Sequence, residues 1–233
     1  MPPTWGPGDN QPMTALLVIR HGETDWNRQH RFQGQIDVPL NAMGQQQAQR
    51  LGQRLAGERI DRLWVSDLLR TRQTAQPLPA AASGAMQLEP LWREQCFGVL
   101  EGHDVPTIQS QHPALWAQWI RHDADYALPE GGESNARFHA RVMRALHAVL
   151  AGAGPDARVA VVTHGGVLDM LWRTVHGLSL SGPRQCEIPN TGINRLRWTD
   201  GRLAIETWAD DAHLADLPPQ PSTVQTKLPE SAV

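Results

Sequence analysis

The sequence predicts an α/β fold, a three-layer sandwich in which a mostly parallel central sheet carries helices on both faces and a small cap covers one end. Three observations support this. Residues 16–19, 63–65 and 159–162 are short, continuous apolar runs, the pattern of strands covered on both sides rather than on one. Stretches with helical spacing separate them, so strand and helix alternate along the chain. At 233 residues and 40% hydrophobic content the chain can bury one substantial core, and neither an internal repeat nor a second boundary divides it.

Taken in order, residues 1–13 are rich in proline and polar residues and read as a flexible tail, after which a single domain runs from 14 to 214. The first strand, Leu16-Leu17-Val18-Ile19, breaks directly into Arg20-His21-Gly22. Residues 45–56 form a helix with Ala48, Leu51 and Leu55 inward and glutamines outward, and Gly57 lies just beyond it. Leu63-Trp64-Val65-Ser66 is the second strand; the helix at 67–75 opens with Ser66 or Asp67 as its cap, which places Arg70 near its first turn. Residues 103–132 break the alternation and form the cap. In it Trp116 and Trp119 read as packing, with ligand contact by one of them as the alternative, and Arg121 and His122 are weaker candidates for a second anionic group. Ser134 caps a helix over 135–150, whose Phe138, Val142, Leu146 and Val149 recur at helical spacing while His139 and His147 face outward. The third strand, 159–163, ends in His164-Gly165-Gly166 ahead of a helix at 167–176. Residues 193–198 and 203–208, joined at Asp200-Gly201, form an edge hairpin. From 215 to 233, Pro218, Pro219 and Pro221 oppose regular structure, and a second flexible tail is expected.

Composition excludes several classes. A net charge of −3 argues against a general nucleic-acid binder. Lys227 is the sole lysine and lies in the tail, so a P-loop or Schiff-base lysine is excluded and every cation of a folded site is Arg or His. Cys96 and Cys186 have neither CxxC nor zinc spacing and read as reduced thiols. No run reaches membrane-spanning length and the start lacks a signal-peptide pattern, so a cytoplasmic location is expected, with no membrane partner. The 10 histidines include no His-Glu-x-x-His, and no metal site or other cofactor is expected.

Open α/β sheets bind ligands at the carboxyl ends of their strands, and Arg20 and His21 sit at such an end. The arginine fork matches phosphate oxygens, and a neutral imidazole can attack phosphorus and leave again, so the pair suits phosphoryl transfer. A helix N-terminus already favours anions, and Arg70 there makes a second clamp. Strand, histidine and glycine recur at His164-Gly165. Two imidazoles at two strand ends, each followed by glycine that lets backbone approach a ligand, are hard to explain as core packing. His21 must attack through an unprotonated nitrogen, so its other nitrogen needs a holder, and a backbone carbonyl is the expected one.

The chain resembles the histidine phosphatase superfamily, also called the phosphoglycerate mutase-like family, over about residues 14–210. The resemblance rests on Arg20-His21-Gly22-Glu23-Thr24-Asp25-Trp26-Asn27, on Ser66 to Ala75, on Glu94 to Gly102 and on Thr163-His164-Gly165-Gly166. It implies His21 as the nucleophile, Arg20, Arg70 and His164 as the phosphate pocket, Asn27 as a further phosphate donor and Glu94 as the proton donor. Gln33-Gly34 match the loop that reaches phosphate by side chain and backbone, and Gly165 is placed with these substrate-binding positions. Glu23 and Glu101 read as structural carboxylates near the site.

Three functions fit. The first is a phosphomonoester hydrolase acting on a small-molecule phosphate ester through phospho-His21. The second is a cofactor-dependent phosphoglycerate mutase, and the third a phospho-ligand binding module without catalysis. His21, Arg70, Glu94 and His164 are all present, which disfavours the third. Against the second, the resemblance leads one to expect in a mutase a Tyr three residues after the acid and a Lys eleven after it. This chain has Phe97 and Val105 there. The segment between Glu94 and His164 is also compact, with Arg121 its sole arginine before Ser134. The hydrolase is favoured; which ester it cleaves and its oligomeric state are not legible in the sequence.

Overall fold

The computed structural model describes residues 13–81, 84–154, 156–220 and 223. Strands β1 (Thr14–Arg20), β2 (Arg62–Val65), β3 (Gln87–Leu88), β4 (Arg158–Thr163), β5 (Ile193–Thr199) and β6 (Arg202–Asp210) form one sheet in the order β3-β2-β4-β1-β5-β6. The first four are parallel, and β5 and β6 add the expected hairpin antiparallel at one edge. The two-residue β3 was not expected, being too short to leave a pattern.

Register is what builds the site. β1 pairs with β4 so that Arg20 lies opposite Thr163, and the His21 amide donates to the Thr163 carbonyl at 2.9 Å. β2 pairs Val65 with Val162, and the Ser66 amide donates to the Val162 carbonyl. Three strands therefore stop level with one another, and His21, Ser66 and His164 leave the sheet side by side.

Seven helices accompany these strands among the described residues: α1 (Asp25–Arg28), α2 (Ala42–Leu55), α3 (Leu69–Ala75), α4 (Val105–Gln111), α5 (Pro113–Trp119), α6 (Asn135–Gly152) and α7 (Gly165–His176). Alternate strand residues feed two cores. Leu16, Val18, Val159 and Val161 pack with Phe138, Val142, Leu146 and Val149 of α6 and with Leu168 and Leu171 of α7. Leu17, Ile19, Ala160 and Val162 turn the other way, onto Leu51 and Leu55 of α2. Each fully buried leucine contributes about 1.5–3 kcal/mol. A third cluster, Leu100, Ile108 and Leu128 with Phe32, Phe97, Trp116, Trp119 and Tyr126, lies under the cap made by α4 and α5.

Several boundaries differ from expectation for identifiable reasons. α2 starts at Ala42 rather than 45 because the Asn41 side chain caps it, accepting from the Gly44 amide at 2.8 Å. Gly44 belongs at this helix start, since a Cβ would lie 2.0 Å from the Glu23 carbonyl. Neither Ser66 nor Asp67 caps α3. Its N-cap is Leu68, and the amide of Leu69 is met by the Asp37 carboxylate across the fold at 2.5 Å. Ser134 caps α6 as expected, accepting from the Arg137 amide. Of the tails expected to be flexible, residues 1–12, 221–222 and 224–233 lie outside the described residues. In the tail expected from 215, Gln220 and Thr223 contact the domain. Gln220 exchanges hydrogen bonds with the Asn190 backbone, and Thr223 accepts from the Ile188 amide.

Arg141 of α6 is the organiser that sequence reasoning overlooked. Its guanidinium pairs with Glu133 at 2.6 and 2.7 Å and donates to the carbonyls of Leu91, Arg93 and Glu94 at 2.9–3.0 Å. It thereby fixes the loop that carries Glu94. Burial alone would raise the Glu133 carboxyl, and the Arg141 hydrogen bonds and charge more than offset this, holding it below its ordinary value. A carboxyl held low contributes stability that is complete above its unfolded pKa, about 4.3, and is lost as pH falls through its folded value. Arg141→Ala should therefore cost about 3–5 kcal/mol in urea unfolding at pH 7, the cost of an unpaired buried charge. The difference from wild type should narrow below about pH 4. A loss under about 1 kcal/mol at pH 7 would mean the pair is held no better than a surface one.

Candidate active site

His21 is buried at the end of β1, 3% exposed. Its Nδ1 lies 2.7 Å from the Gly22 carbonyl, so Nδ1 carries the proton and Nε2 is left with its lone pair. The expected backbone holder is therefore present. Burial, and then the charges of Arg70 and Arg20, push the imidazole well below its ordinary pKa and keep it neutral. Asn190, buried beside it, donates to the His21 carbonyl at 2.9 Å. That residue was not expected, although it stands in the Pro-Asn-Thr-Gly turn leading into β5, whose antiparallel pairing brings its start to the end of β1.

The two arginines are held by carbonyl oxygens rather than by carboxylates. Arg20 donates through Nη1 to Ile188, while its buried Nε has no partner. Arg70 donates to the carbonyls of Gly34 and Ile36 at 2.7 and 2.9 Å, and through Nε to His164 Nδ1 at 3.2 Å. Burial lowers both guanidinium pKa values to about 10, and Arg184 beside Arg20 adds to its shift; both remain cations at neutral pH. His164 accepts at Nδ1, so its Nε2–H donates to Ser66 Oγ at 2.8 Å. Its ring centre is 5.2 Å from that of His21.

Glu94 is held by two backbone amides, Gly166 at 3.0 Å and Gln95 at 2.9 Å. Gly166 is the second residue of α7, so the carboxylate sits at the positive end of that helix. Only glycine fits there, since a Cβ would fall 2.2 Å from Glu94 Oε1.

Arg20, His21, Asn27, Gln33, Gly34, Arg70 and Glu94 all line one cleft of about 380 Å³. Asn27 also closes a capping box with Thr24. Gln33 is buried, with its Oε1 unmet. His164 and Gly165 do not reach the wall: His164 stands behind Arg70, and a Cβ on Gly165 would touch Arg20 Nε at 3.5 Å. Gly166 takes the wall position in place of Gly165. Glu23 and Glu101 are structural as expected, bonding to Asn41 and to the amides of Gln35 and Phe97. In the cap, Trp119 and His122 line the cleft and Arg121 is exposed away from it. Trp26, Arg31, Asp169, Arg184 and Gln220 also line it and were not expected; the first three neighbour predicted site segments, whereas Arg184 and Gln220 come from segments distant in sequence. Among the described residues, no group of three His, Cys, Asp or Glu side chains is arranged to hold a metal ion, and no helix is long and apolar enough to cross a membrane.

Sheet order, the paired histidines and the two arginines form one constellation at the carboxyl end of the sheet, and comparison with known proteins gives its family. The description of the histidine phosphatase superfamily (branch 1) matches residues 16–211. The chain belongs to that superfamily. A relative from Proteus mirabilis, described as a probable phosphoglycerate mutase GpmB, is 36% identical over 210 residues, which is 88% of this chain and 97% of that protein. Among solved structures, Bacillus stearothermophilus YhfR superposes with a TM-score of 0.77 at 27% identity, covering 86% of this chain and 99% of that one. A mycobacterial glucosyl-3-phosphoglycerate phosphatase superposes at 0.71 and 27% identity, covering 84% and 98%.

Two outcomes check this geometry. ¹⁵N NMR at pH 6 should find His21 neutral with its proton on Nδ1; a doubly protonated ring at that pH would contradict the buried, arginine-flanked setting. Gly166→Ala should displace Glu94 and lower turnover by on the order of 10²-fold while the fold persists by circular dichroism. Unchanged turnover would show that Glu94 is not confined by α7.

Proposed function

We propose that the protein is a phosphomonoester hydrolase that works through a phosphohistidine on His21, with Glu94 as proton donor and a small phosphate ester as substrate. The observation that carries this reading is the locked, neutral His21, whose Nε2 lone pair is free in a cleft also lined by Arg20 and Arg70. Phosphoryl transfer spreads negative charge over the equatorial oxygens, so positioned cations and amides supply most of the catalysis. Arg20 and Arg70 would bind those oxygens, with Gln33 and Asn27 beside them. Nε2 of His21 attacks phosphorus as the ester P–O bond breaks, and the Glu94 carboxylic acid gives its proton to the departing oxygen. Glu94 then takes a proton from water as that water attacks phospho-His21, releasing inorganic phosphate and neutral imidazole.

The names of the relatives favour a second reading, phosphoglycerate mutase. Against it, Phe97 and Val105 line the cleft as apolar surface where a mutase is expected to keep a hydroxyl and an ammonium. Water then has fewer competitors for phospho-His21.

His21→Ala should abolish turnover without unfolding the chain, and acid-labile label from a radioactive phosphoryl donor should map to His21; label on serine, cysteine or aspartate would sink the mechanism. Glu94→Gln should cost on the order of 10²–10⁴-fold on an alkyl phosphate and much less on p-nitrophenyl phosphate, whose leaving group needs no proton. Equal losses would make Glu94 a positioning residue. With 3-phosphoglycerate, free phosphate should appear faster than 2-phosphoglycerate and without a bisphosphate primer. Faster isomerisation, activated by 2,3-bisphosphoglycerate, would establish the mutase instead.

A further inference from the structure

Ser66 follows β2 where a helix cap is expected, yet its hydroxyl takes no part in the start of α3. The residue is fully buried. Its backbone is fixed on both sides, since the amide donates to the Val162 carbonyl at 3.0 Å and the carbonyl accepts from Thr71 Oγ at 2.7 Å. The hydroxyl oxygen is thereby set 2.8 Å from His164 Nε2.

The other ring nitrogen decides the direction of that bond. Arg70 Nε is protonated at neutral pH and can only donate, so His164 Nδ1, 3.2 Å away, must present its lone pair. Burial, and then the Arg70 charge, push the imidazole well below its ordinary pKa, and a neutral ring carries a single N–H. That N–H is therefore at Nε2, and buried as it is it needs an acceptor. Ser66 Oγ is that acceptor. A proton moved to Nδ1 would stand against the Arg70 N–H and open the contact.

Arg70 depends on this contact for its aim. Of the five N–H groups of a guanidinium, His164 takes the one on Nε, and the carbonyls of Ile36 and Gly34 take one on each Nη. Two remain on a side chain that lines the cleft, and their direction is set by the three that are held. Two of those three tethers belong to the 34–36 loop, whereas His164 is anchored between β4 and α7. Ser66 itself does not line the cleft, so it can act on a ligand only through His164. We propose that Ser66 is a positioning residue for phosphoryl transfer, holding His164 in the Nε2–H form so that Nδ1 keeps Arg70 aimed at the phosphate oxygens. This rests on the hydrolase reading above, in which Arg70 binds those oxygens.

The test combines ¹⁵N NMR with binding of inorganic phosphate, which needs no turnover. In wild type, His164 should be protonated at Nε2 alone and the Arg70 Nε–H should be protected from exchange. Ser66→Ala should remove that protection and weaken phosphate binding about tenfold, the cost of leaving a buried hydrogen-bonding group unmet. In a His164→Ala background the same substitution should change phosphate binding by less than about twofold, because the group through which Ser66 acts is gone. A packing role for Ser66 would instead cost the same factor in both backgrounds. That result, a wild-type ring protonated at Nδ1, or Ser66→Ala binding phosphate as tightly as wild type would each overturn the assignment. Should Ser66→Ala not fold, Ser66→Cys, whose thiol is a weaker acceptor in the same place, should lose the Arg70 protection in its stead, and the wild-type spectrum decides the tautomer without any variant. Failure of wild type to bind phosphate, with His164 and Arg70 giving the expected spectra, would remove the hydrolase reading and with it the role assigned to Ser66.

Discussion

Two guanidiniums, Arg70 fully buried and Arg20 partly so, govern this molecule. Arg20 and Arg70 lie at the carboxyl end of the sheet with no carboxylate within ion-pair distance among the described residues, held by the carbonyls of Ile188, Gly34 and Ile36 and by His164. A charge taken out of water without a counter-charge is unfavourable, and dipoles alone offset this only in part. The fold tolerates the deficit because strong packing on both faces of β1 and β4 fixes the sheet end that carries Arg20 and against which α3 sets Arg70. Burial, and then the same two charges, depress His21 and leave it neutral, and the arginines create an electrostatic demand that an anionic ligand would meet. Stability and chemistry thus oppose one another at this point, as is common where a site is preorganised.

What surrounds the arginines is arranged so that they do not relax. Arg70 is gripped by the 34–36 loop, whose conformation depends on Glu101, and the Glu94 loop depends on Arg141 and Glu133. Carboxylates are therefore plentiful nearby but are spent on backbone amides and on other arginines. Movement of any one of them toward Arg20 or Arg70 would neutralise the site.

Much of this was legible in the sequence, because local pattern and chemistry coincide there. β1, β4, α6 and α7 carry apolar repeats long enough to identify, and Arg20, His21, Arg70 and His164 stand at ends of elements where ligands bind, whereas Glu94 was legible only through the family resemblance. What escaped depends on contacts between distant segments. Asp37 caps α3 from another loop, so no cap signal precedes that helix. Arg141 and Asn190 look like a surface arginine and a turn asparagine until register brings Glu94 and His21 beside them. Gln220 and Thr223 sit among prolines, and their side-chain hydrogen bonds to the 187–190 loop leave no local signal.

The sheet order carries a consequence for how the chain is made. β1 is synthesised first among the strands and lies near the centre of the sheet, yet its two neighbours are β4 and β5, so Leu16 must wait for Val159 and Leu196. Loop closure over such separations is slow, and a nascent chain emerges at about 5–20 residues per second. For most of translation an apolar strand with both edges unpaired is therefore exposed outside the ribosome. His21, at the end of that strand, gains its setting only once β4 and β5 have emerged.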